Sequence, residues 1–515
     1  MSIRRTMARN VLWSGAGMAC GALTGFITVP FLVHRLGATT YGLWILIASL
    51  TSYFNLADLG LRASITRHVA FFRARGDQES VNAILSTAQL ILAGAAAVTV
   101  VATLGLAALF PHFGNVPADQ LRDVRMAILI AGFTIAATLA MSIFDAALWA
   151  YERLDLLNGI DIFYDLAETA CLFYFLWHGG PLITIALIAL VKTVCAEASK
   201  CVACFRMDRS LRIAPTHISR WAVRYLFGFG MWKFLWSVGT RATSQGGPLI
   251  IWARLSAAVA TPYSVVSRLV GTAKGFATVG MGVVTPTATS LYAREQHARQ
   301  CTLFVEGGSY CLAFSLFFVA GIALLGKCFI SLWIGPSLAV YAGAATILAL
   351  GEALPMSQWV SSGILLGRER HRVLACASFV ETFLVIGLGL ALARTLGFVG
   401  LCLAIAVPGT LCRGVLPLVY GGRVLGISLR RYVRRALVPP VLAVVIPAAA
   451  MLGLIHRRPP AGWFDLILYA LVFSLACAIA CGVIVVGSEQ RKNLLSHLRG
   501  QPAPRVGGGE SHAFG

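Results

Sequence analysis

Long apolar stretches alternate with short polar ones along most of the chain. Each apolar stretch has about 20 residues or more, the length that an α-helix needs to cross the hydrocarbon core of a bilayer. The pattern predicts about fourteen transmembrane helices, with about twelve or thirteen as the alternative because Arg268 and Lys274 interrupt the eighth segment. The predicted segments are residues 10–33, 42–66, 81–110, 126–149, 156–177, 181–204, 226–252, 259–290, 302–325, 338–366, 372–394, 397–422, 433–455 and 463–486.

Composition agrees with this pattern. Of the 515 residues 58% are hydrophobic and only 12% are charged, whereas about 25% of the residues in a soluble domain are charged. So little polar surface cannot cover a soluble protein of this size, and we predict an all-α polytopic membrane protein. The formal net charge of +21 could indicate a nucleic-acid partner, but the basic residues form short clusters between apolar runs. Multispanning proteins orient themselves in this way, so we expect no nucleic-acid partner.

The distribution of the 42 Lys and Arg residues predicts the orientation. If the N-terminus is cytoplasmic, most of them lie on the cytoplasmic side, as the positive-inside rule requires. This places both termini in the cytoplasm and favours an even number of helices. The first apolar run follows Arg4, Arg5 and Arg9, and it is too long for a typical signal-peptide core, so we expect a retained first helix.

The longest polar loop, between the sixth and seventh segments, divides the chain into two groups that open alike. Arg9, Pro30, Arg35 and Tyr41 in the first group have counterparts at similar spacing in the second, namely Arg224, Pro248, Arg254 and Tyr263. Two related bundles with the substrate site between them are typical of transporters, although two Gly-rich helices can also be alike by chance. We predict a six-helix bundle at 1–204, a cytoplasmic linker at 205–225, a second six-helix bundle at 226–422, two additional transmembrane helices at 423–486 and a cytoplasmic, disordered tail at 487–515.

The seventh segment carries positive charges among apolar residues. Lys233, Ser237 and Arg241 are spaced i, i+4, i+8 and lie near one helical face. A cation at membrane depth is costly and usually serves a ligand, an ion path or a partner carboxylate. We therefore predict that Lys233, Arg241 and Arg268 line a cavity for an anionic substrate and that Lys274 pairs elsewhere. The alternative for Lys233 is that it extends to the membrane interface.

The fifth segment carries an acidic stripe. Asp161, Asp165 and Glu168 are spaced i, i+4, i+7 on an otherwise apolar helix. Carboxylates so close together must face water, bind protons or pair with cations. The stripe is therefore a candidate site for a coupling proton or cation, and static pairing with Lys192 or Arg241 is an equally weighted alternative.

Other charged residues are assigned structural roles. Asp58 and Arg62 are four apart, and we predict an intrahelical ion pair that positions the end of the second helix. Single acids in other segments are interpreted as structural or as lying near a membrane interface, and Arg413 stays ambiguous; these acids are Asp145, Glu306, Glu352 and Glu381.

No enzyme signature is present in the sequence. There is no phosphate-binding P-loop, no HExxH motif and no loop with a nucleophile, a base and an orienting group. Cys201 and Cys204 have the spacing of a zinc or redox pair, but no second pair or nearby His completes a site. We predict no catalytic residues, no metal and no cofactor.

Two stretches resemble one family at the level of residues. The first contains Pro30, Arg35-Leu36-Gly37, Tyr41-Gly42, Asp58-Leu59-Gly60-Leu61, Ala63 and Arg67, and the second runs from Tyr263 through Arg268. They resemble the Wzx-type polysaccharide flippases of the multidrug/oligosaccharidyl-lipid/polysaccharide (MOP) exporter superfamily. The likeness covers most of the chain at the level of topology.

The resemblance implies two pseudo-symmetric six-helix bundles with additional C-terminal helices in a bacterial inner membrane. It implies that an undecaprenyl-pyrophosphate-linked oligosaccharide is moved to the periplasmic leaflet by alternating access, driven by proton or sodium entry. It also implies a cationic central cavity, to which Lys233, Arg241 and Arg268 are the contributors predicted from the residues. Polysaccharide polymerase or export machinery would be partners.

Two other functions compete with this one. A multidrug or small-cation antiporter of the same superfamily would favour acids over bases at the site. A membrane glycan polymerase or ligase would need a large outer loop with Arg or His clusters, and the outer loops predicted here are short.

Overall fold

The computed structural model describes residues 3–113, 121–281, 284–368 and 370–486, and some helical side chains, including those of residues 228–237, lie outside the described set. Every regular element in these ranges is helical. The helices are α1 Ile3–Ser52, α2 Leu61–Ala74, α3 Gln78–Phe113, α4 Leu121–Ala150, α5 Leu154–Trp177, α6 Leu182–Met207, α7 Arg220–Arg254, α8 Ala257–Met281, α9 Val284–Ala293, α10 His297–Thr302, α11 Gly308–Trp333, α12 Ala342–Ser357, α13 Trp359–Gly367, α14 His371–Gly409, α15 Leu416–Leu425, α16 Leu429–Tyr432, α17 Val438–Arg457 and α18 Trp463–Ile484.

Short non-α turns join several of these helices. Tyr53–Asp58, Pro215–His217 and Pro336–Tyr341 are 3₁₀ turns. Leu303–Gly307, Thr410–Val415 and Val433–Leu437 are π turns. Single π turns inside α-helices are rare and are frequent at functional sites.

Two glycines divide the longest helices. Gly37 (φ 77°, ψ 161°) breaks α1, and Gly397 (φ 57°, ψ −131°) breaks α14. Residues with a Cβ rarely adopt a positive φ, so glycine suits both breaks. With these divisions, the described helices follow the predicted segments one after another, and the prediction of an all-α polytopic fold is confirmed.

The outer surface has the character that lipid requires. Nine stretches of the described residues are long and apolar enough to cross a membrane, and α5, α7 and α8 are not among them. Those three helices carry the acidic stripe and the positive charges that the sequence singles out. Large apolar side chains lie fully open on the outside, for example Phe464 at 78% exposure and Phe383 at 73%. We conclude that this is a multi-pass membrane protein.

The first and second halves of the chain meet along α1. The Ser49 hydroxyl donates to the Gln245 side-chain carbonyl at 2.8 Å, and the Thr261 hydroxyl donates to the Ala38 carbonyl at 2.6 Å. Near them Val29 and Ile47 of α1 share a buried apolar cluster with Val265. This junction holds α7 and α8 against α1 and so defines one wall of the cavity described below.

Candidate functional site

A cavity of about 960 Å³ lies mostly within the second half of the chain, beside the 3₁₀ turn that follows α1. The 3₁₀ turn after α1 contributes Asn55, Leu56 and Asp58, and the remaining lining comes from α7, α8, α12, α13 and α14 and from the π turn and α15 that follow α14. A volume of this size is at the upper end of the range for small-molecule sites. Most of the lining belongs to the second half of the chain.

Four charged side chains from four separate elements meet on the cavity wall. Arg413 donates two hydrogen bonds to Glu352, from Nη1 to Oε2 and from Nη2 to Oε1, and both are 2.9 Å long. Its Nε donates to Glu381 Oε1 at 2.8 Å, and Lys274 Nζ donates to Glu352 Oε1 at 2.9 Å. Parallel bonds between a guanidinium and a carboxylate are among the strongest in proteins. We call these four residues the charged quartet.

Burial within the charged quartet differs between acids and bases. The side chain of Glu381 is 1% exposed and that of Glu352 is 12% exposed, whereas those of Arg413 and Lys274 are 27% and 32% exposed. A buried carboxylate without its partner would be strongly unfavourable. All four residues line the cavity, and the two cations are more exposed than the carboxylates that they contact.

Arg241 lies on the same wall and has a different kind of partner. Its Nε and Nη2 donate to the backbone carbonyl of Ser52 at 3.3 and 3.1 Å. Among the described residues no carboxylate lies within 4 Å of its guanidinium. Within the part of the chain that the structure describes, no carboxylate neutralises its positive charge by direct contact.

The described lining is balanced in formal charge. It contains three basic residues, Arg241, Lys274 and Arg413, and three acidic ones, Asp58, Glu352 and Glu381. One carboxylate oxygen of Asp58 is buried and has no hydrogen-bond partner among the described residues. A general excess of positive charge, which the resemblance implies, is not present in this part of the lining.

The structure separates the predicted substrate residues. Arg241 lines the cavity, the side chain of Lys233 lies outside the described residues, and Arg268 is not part of the described lining. Its Nη2 donates to the Gly21 carbonyl at 3.2 Å, and its guanidinium occupies the space that a Cβ at Gly25 would fill. Arg268 therefore links α8 to α1 by a hydrogen bond. Lys274, which is predicted to pair elsewhere rather than bind substrate, forms an ion pair with Glu352.

The acidic stripe faces lysines of α6. Lys192 Nζ lies 2.7 Å from Asp165 and 3.6 Å from Glu168. Lys200 Nζ lies 2.9 Å from Asp161 and is also 2.9 Å from Asp145 and 3.1 Å from Glu197. The acidic stripe thus forms ion pairs with Lys192, which is one of the two partners named in the static-pairing alternative. It also forms an ion pair with Lys200. None of its three members lines the described part of the 960 Å³ cavity.

The predicted intrahelical pair of Asp58 and Arg62 is not formed. Leu59 (φ 50°) and Gly60 (φ 72°) interrupt the helix between them, so the two residues do not share one helical face. Arg62 instead lies 3.5 Å from Asp145 of α4. The i, i+4 argument fails because it assumes a continuous helix.

Sequence reasoning missed the charged quartet. Glu352, Glu381 and Arg413 each appear as a single charge in a different apolar segment, and they were assigned singly. The one available signal was that segments ten, eleven and twelve each hold such a charge, which is costly at membrane depth unless it is paired.

Comparisons with known proteins agree with this architecture. A family model described as "Polysaccharide biosynthesis protein" matches residues 7–292. No curated protein sequence matches the chain.

Several solved structures are similar in fold. An inward-facing multidrug resistance MATE family transporter of the MOP superfamily has 12% identity, covers 79% of this chain and 98% of its own, and has a TM-score of 0.66. The lipid II flippase MurJ in an inward closed conformation has 13% identity, covers 92% and 98%, and has a TM-score of 0.63. A MOP superfamily transporter from Pyrococcus furiosus, described as having a binding pocket of reverse polarity, has 14% identity, covers 82% and 95%, and has a TM-score of 0.61.

Proposed function

Because this chain belongs to the polysaccharide biosynthesis protein family and has the fold of MOP-superfamily transporters, we propose that it is a flippase for a lipid-linked oligosaccharide. The substrate would be an oligosaccharide on undecaprenyl pyrophosphate, moved from the cytoplasmic to the periplasmic leaflet of a bacterial inner membrane. The resemblance to the MOP superfamily is confirmed by these matches. The family and the fold are those of transporters rather than enzymes.

The observation that carries the proposal is the guanidinium of Arg241, which lines the 960 Å³ cavity and has no carboxylate within 4 Å among the described residues. A sugar-phosphate head cannot cross hydrocarbon unaided, because each unsatisfied polar group costs several kcal/mol. A wet cavity removes this barrier for the head while the lipid tail stays in the bilayer. A guanidinium matches phosphate oxygens with parallel hydrogen bonds. Arg241 is therefore the first contact we assign to the pyrophosphate, and Lys233, on the same helix, is kept as a second candidate.

The charged quartet would supply further phosphate contacts by exchange of partners. Lys274 and Arg413 face the cavity but are held by Glu352 and Glu381. An entering pyrophosphate can take over part of these hydrogen bonds, and the carboxylates recover the cations when the phosphate leaves. Because only part of these hydrogen bonds is exchanged, neither the cations nor the buried carboxylates are left unpaired, and binding is reversible. Arg268 would act at the junction of the halves rather than on the substrate.

Coupling and orientation complete the proposal. Asp161, Asp165 and Glu168, held by Lys192 and Lys200, would bind the coupling proton or cation. Both termini would be cytoplasmic. Residues 1–204 and 226–422 would form the two bundles that move relative to each other. The linker would be residues 205–225, the two additional helices residues 423–486 and the tail residues 487–515. Polymerase or export proteins would receive the product.

A cation antiporter is the second candidate, and one observation favours it. Two carboxylates of the charged quartet and Asp58 belong to the cavity lining, so the described lining carries as many acids as bases. Release of Glu352 or Glu381 from Arg413 would create a site for a cationic drug.

Binding of purified full-length protein to undecaprenyl-pyrophosphate-linked oligosaccharide separates these functions. We expect Arg241→Gln to weaken binding by about tenfold or more, as befits loss of a charge-assisted hydrogen bond. Arg254→Gln, at the exposed end of the same helix, is the matched control and should bind normally. Equal binding by Arg241→Gln and the wild type, together with gradient-driven uptake of a cationic drug, would overturn the flippase in favour of the antiporter.

A further inference from the structure

A second cavity, of about 830 Å³, lies away from the central one, where the start of α11, the start of α17 and the end of α18 meet. We call it the basic pocket. Four of its lining residues are arginines and one is acidic, Glu306. The arginines are Arg430, Arg431, Arg434 and Arg435.

Local sequence explains how the arginines gather. They occupy one short stretch that begins in α16 and continues into the π turn Val433–Leu437. Positions three and four apart lie on one face of a helix, so Arg430 and Arg434 project together, as do Arg431 and Arg435. The facing wall is also a π turn, Leu303–Gly307, which contributes Val305 and Glu306. Two rare turns opposite each other shape this pocket, and such turns are frequent at functional sites.

Three of the four arginines of the basic pocket have no carboxylate partner among the described residues. Arg430, Arg434 and Arg435 are exposed, and among the described residues none of them has a carboxylate within 4 Å. The positive-inside rule accounts for basic residues near a helix end, but it does not require them to surround a cavity. Guanidinium groups that line one cavity repel each other, and a bound anion would relieve the repulsion.

Apolar side chains beside the arginines indicate what kind of anion fits. Ile427, Pro439, Ile484 and Val485 line the same pocket. From its mouth, exposed apolar residues continue along α17 and α18, namely Val438, Val441, Leu442 and Val483. A free inorganic anion would use the arginines alone, whereas a phospholipid would use both the arginines and the apolar surface beside them.

We propose that the basic pocket binds the headgroup of an anionic phospholipid, with the acyl chains lying along α17 and α18. Basic pockets between transmembrane helices at the cytoplasmic face of membranes recognise such headgroups. The ligand class is a phosphate-containing headgroup with a net negative charge. This site is separate from the central cavity, so it does not depend on the identity of the transported substrate.

The test is native mass spectrometry of the full chain with phosphatidylglycerol, phosphatidylcholine or inorganic phosphate. We expect selective retention of phosphatidylglycerol, and roughly 30-fold weaker binding for Arg434→Gln/Arg435→Gln, from the contribution of two basic residues near a membrane surface. Arg457→Gln/Arg458→Gln removes two exposed charges at the other end of α17 and should bind as the wild type does.

Three results would overturn the proposal. They are equal retention of phosphatidylcholine, binding of inorganic phosphate that displaces phosphatidylglycerol completely, and unchanged binding by the Arg434→Gln/Arg435→Gln variant. If that variant does not fold, Arg434→Lys/Arg435→Lys keeps the charge and should retain most of the selectivity, and the wild-type comparison of the two lipids decides by itself.

Discussion

Arg413 and Glu352 form a two-bond fork at 2.9 Å across the cavity wall although they belong to different helical segments of the chain. Glu352 also holds Lys274 at 2.9 Å, so one carboxylate stands between two cations. The side chain of Glu352 is only 12% exposed. A carboxylate this buried stays ionised only if cations pair with it. The same carboxylate thus pairs two cations of the cavity lining.

Replacement of Glu352 by alanine should destabilise the protein. The change leaves Lys274 without a carboxylate and Arg413 with Glu381 alone. Removing one partner of a buried pair typically costs about 3–5 kcal/mol, and the partial exposure of both cations places our expectation at about 3 kcal/mol or below. Thermal unfolding in detergent measures this loss of stability.

The control Lys274→Gln/Glu352→Gln keeps the net charge and should have a higher melting temperature than Glu352→Ala. An unchanged melting temperature for Glu352→Ala would contradict the ion pairs assigned to Glu352.

Close packing of α12 against α14 should make Gly351 intolerant of a side chain. A Cβ at Gly351 would lie 2.5 Å from the Cβ and 2.6 Å from the Cα of Ala406, so the helices would have to separate. We expect Gly351→Ala to cost about 1–3 kcal/mol, as overpacking does, and to lower the melting temperature. Gly343→Ala on the same helix meets nothing within 4 Å and should be neutral or mildly stabilising, because alanine is the better helix former. Equal melting temperatures for the two variants would refute the close contact.

Neutralising the acidic stripe should uncouple transport. Asp161→Asn/Asp165→Asn/Glu168→Gln removes all three carboxylates, which leaves Lys192 without an ion-pair partner while Lys200 keeps Asp145 and Glu197. We expect gradient-driven translocation in proteoliposomes to be lost. Adding Lys192→Gln removes the lysine that had paired with Asp165 and Glu168 and should recover stability but not coupling. Full glycan export by the triple variant would end the assignment of the stripe to coupling.

The loop after α6 should give the protein a pH-dependent stability. Burial alone would raise the pKa of the Asp208 carboxyl, but hydrogen bonds from Ser210 and from the Tyr151 hydroxyl (2.6 Å) outweigh it and hold the pKa below its usual value. A carboxyl whose pKa is lower in the folded state stabilises the fold above its unfolded pKa of about 3.9. That contribution is lost as the pH falls through the folded pKa.

Melting temperatures at several pH values between about 3 and 7 test this linkage. Asp208→Asn should lower stability at neutral pH and flatten the decline on the acid side. Tyr151→Phe removes one of the hydrogen bonds and should have a smaller effect of the same sign. An acid profile of Asp208→Asn that parallels the wild type would show that Asp208 makes no such contribution.

The transmembrane segments and the family were predictable from the sequence, because each depends on residues that are near one another in the chain. About 20 consecutive apolar residues are required to span a bilayer whatever surrounds them. Charged residues inside such segments can also be identified from the sequence, and the cost of burying them indicates that they have a function or a partner. The failure of the Asp58–Arg62 pair shows the limit of this reasoning, since a left-handed turn at Leu59 and Gly60 separates residues that the spacing placed on one face.

Partnerships between helices were decided only by the tertiary structure. Arg241 and Arg268 look alike in sequence, each a cation within an apolar segment, yet one lines the central cavity and the other is fastened to the Gly21 carbonyl of α1. The charges of Glu352, Glu381 and Arg413 indicated that each needs a partner, but the sequence did not show that these residues pair with one another and with Lys274. Electrostatic attraction depends on the distance between charges in space, and the hydrophobic pattern of one helix shows which face is polar but not which helix lies opposite.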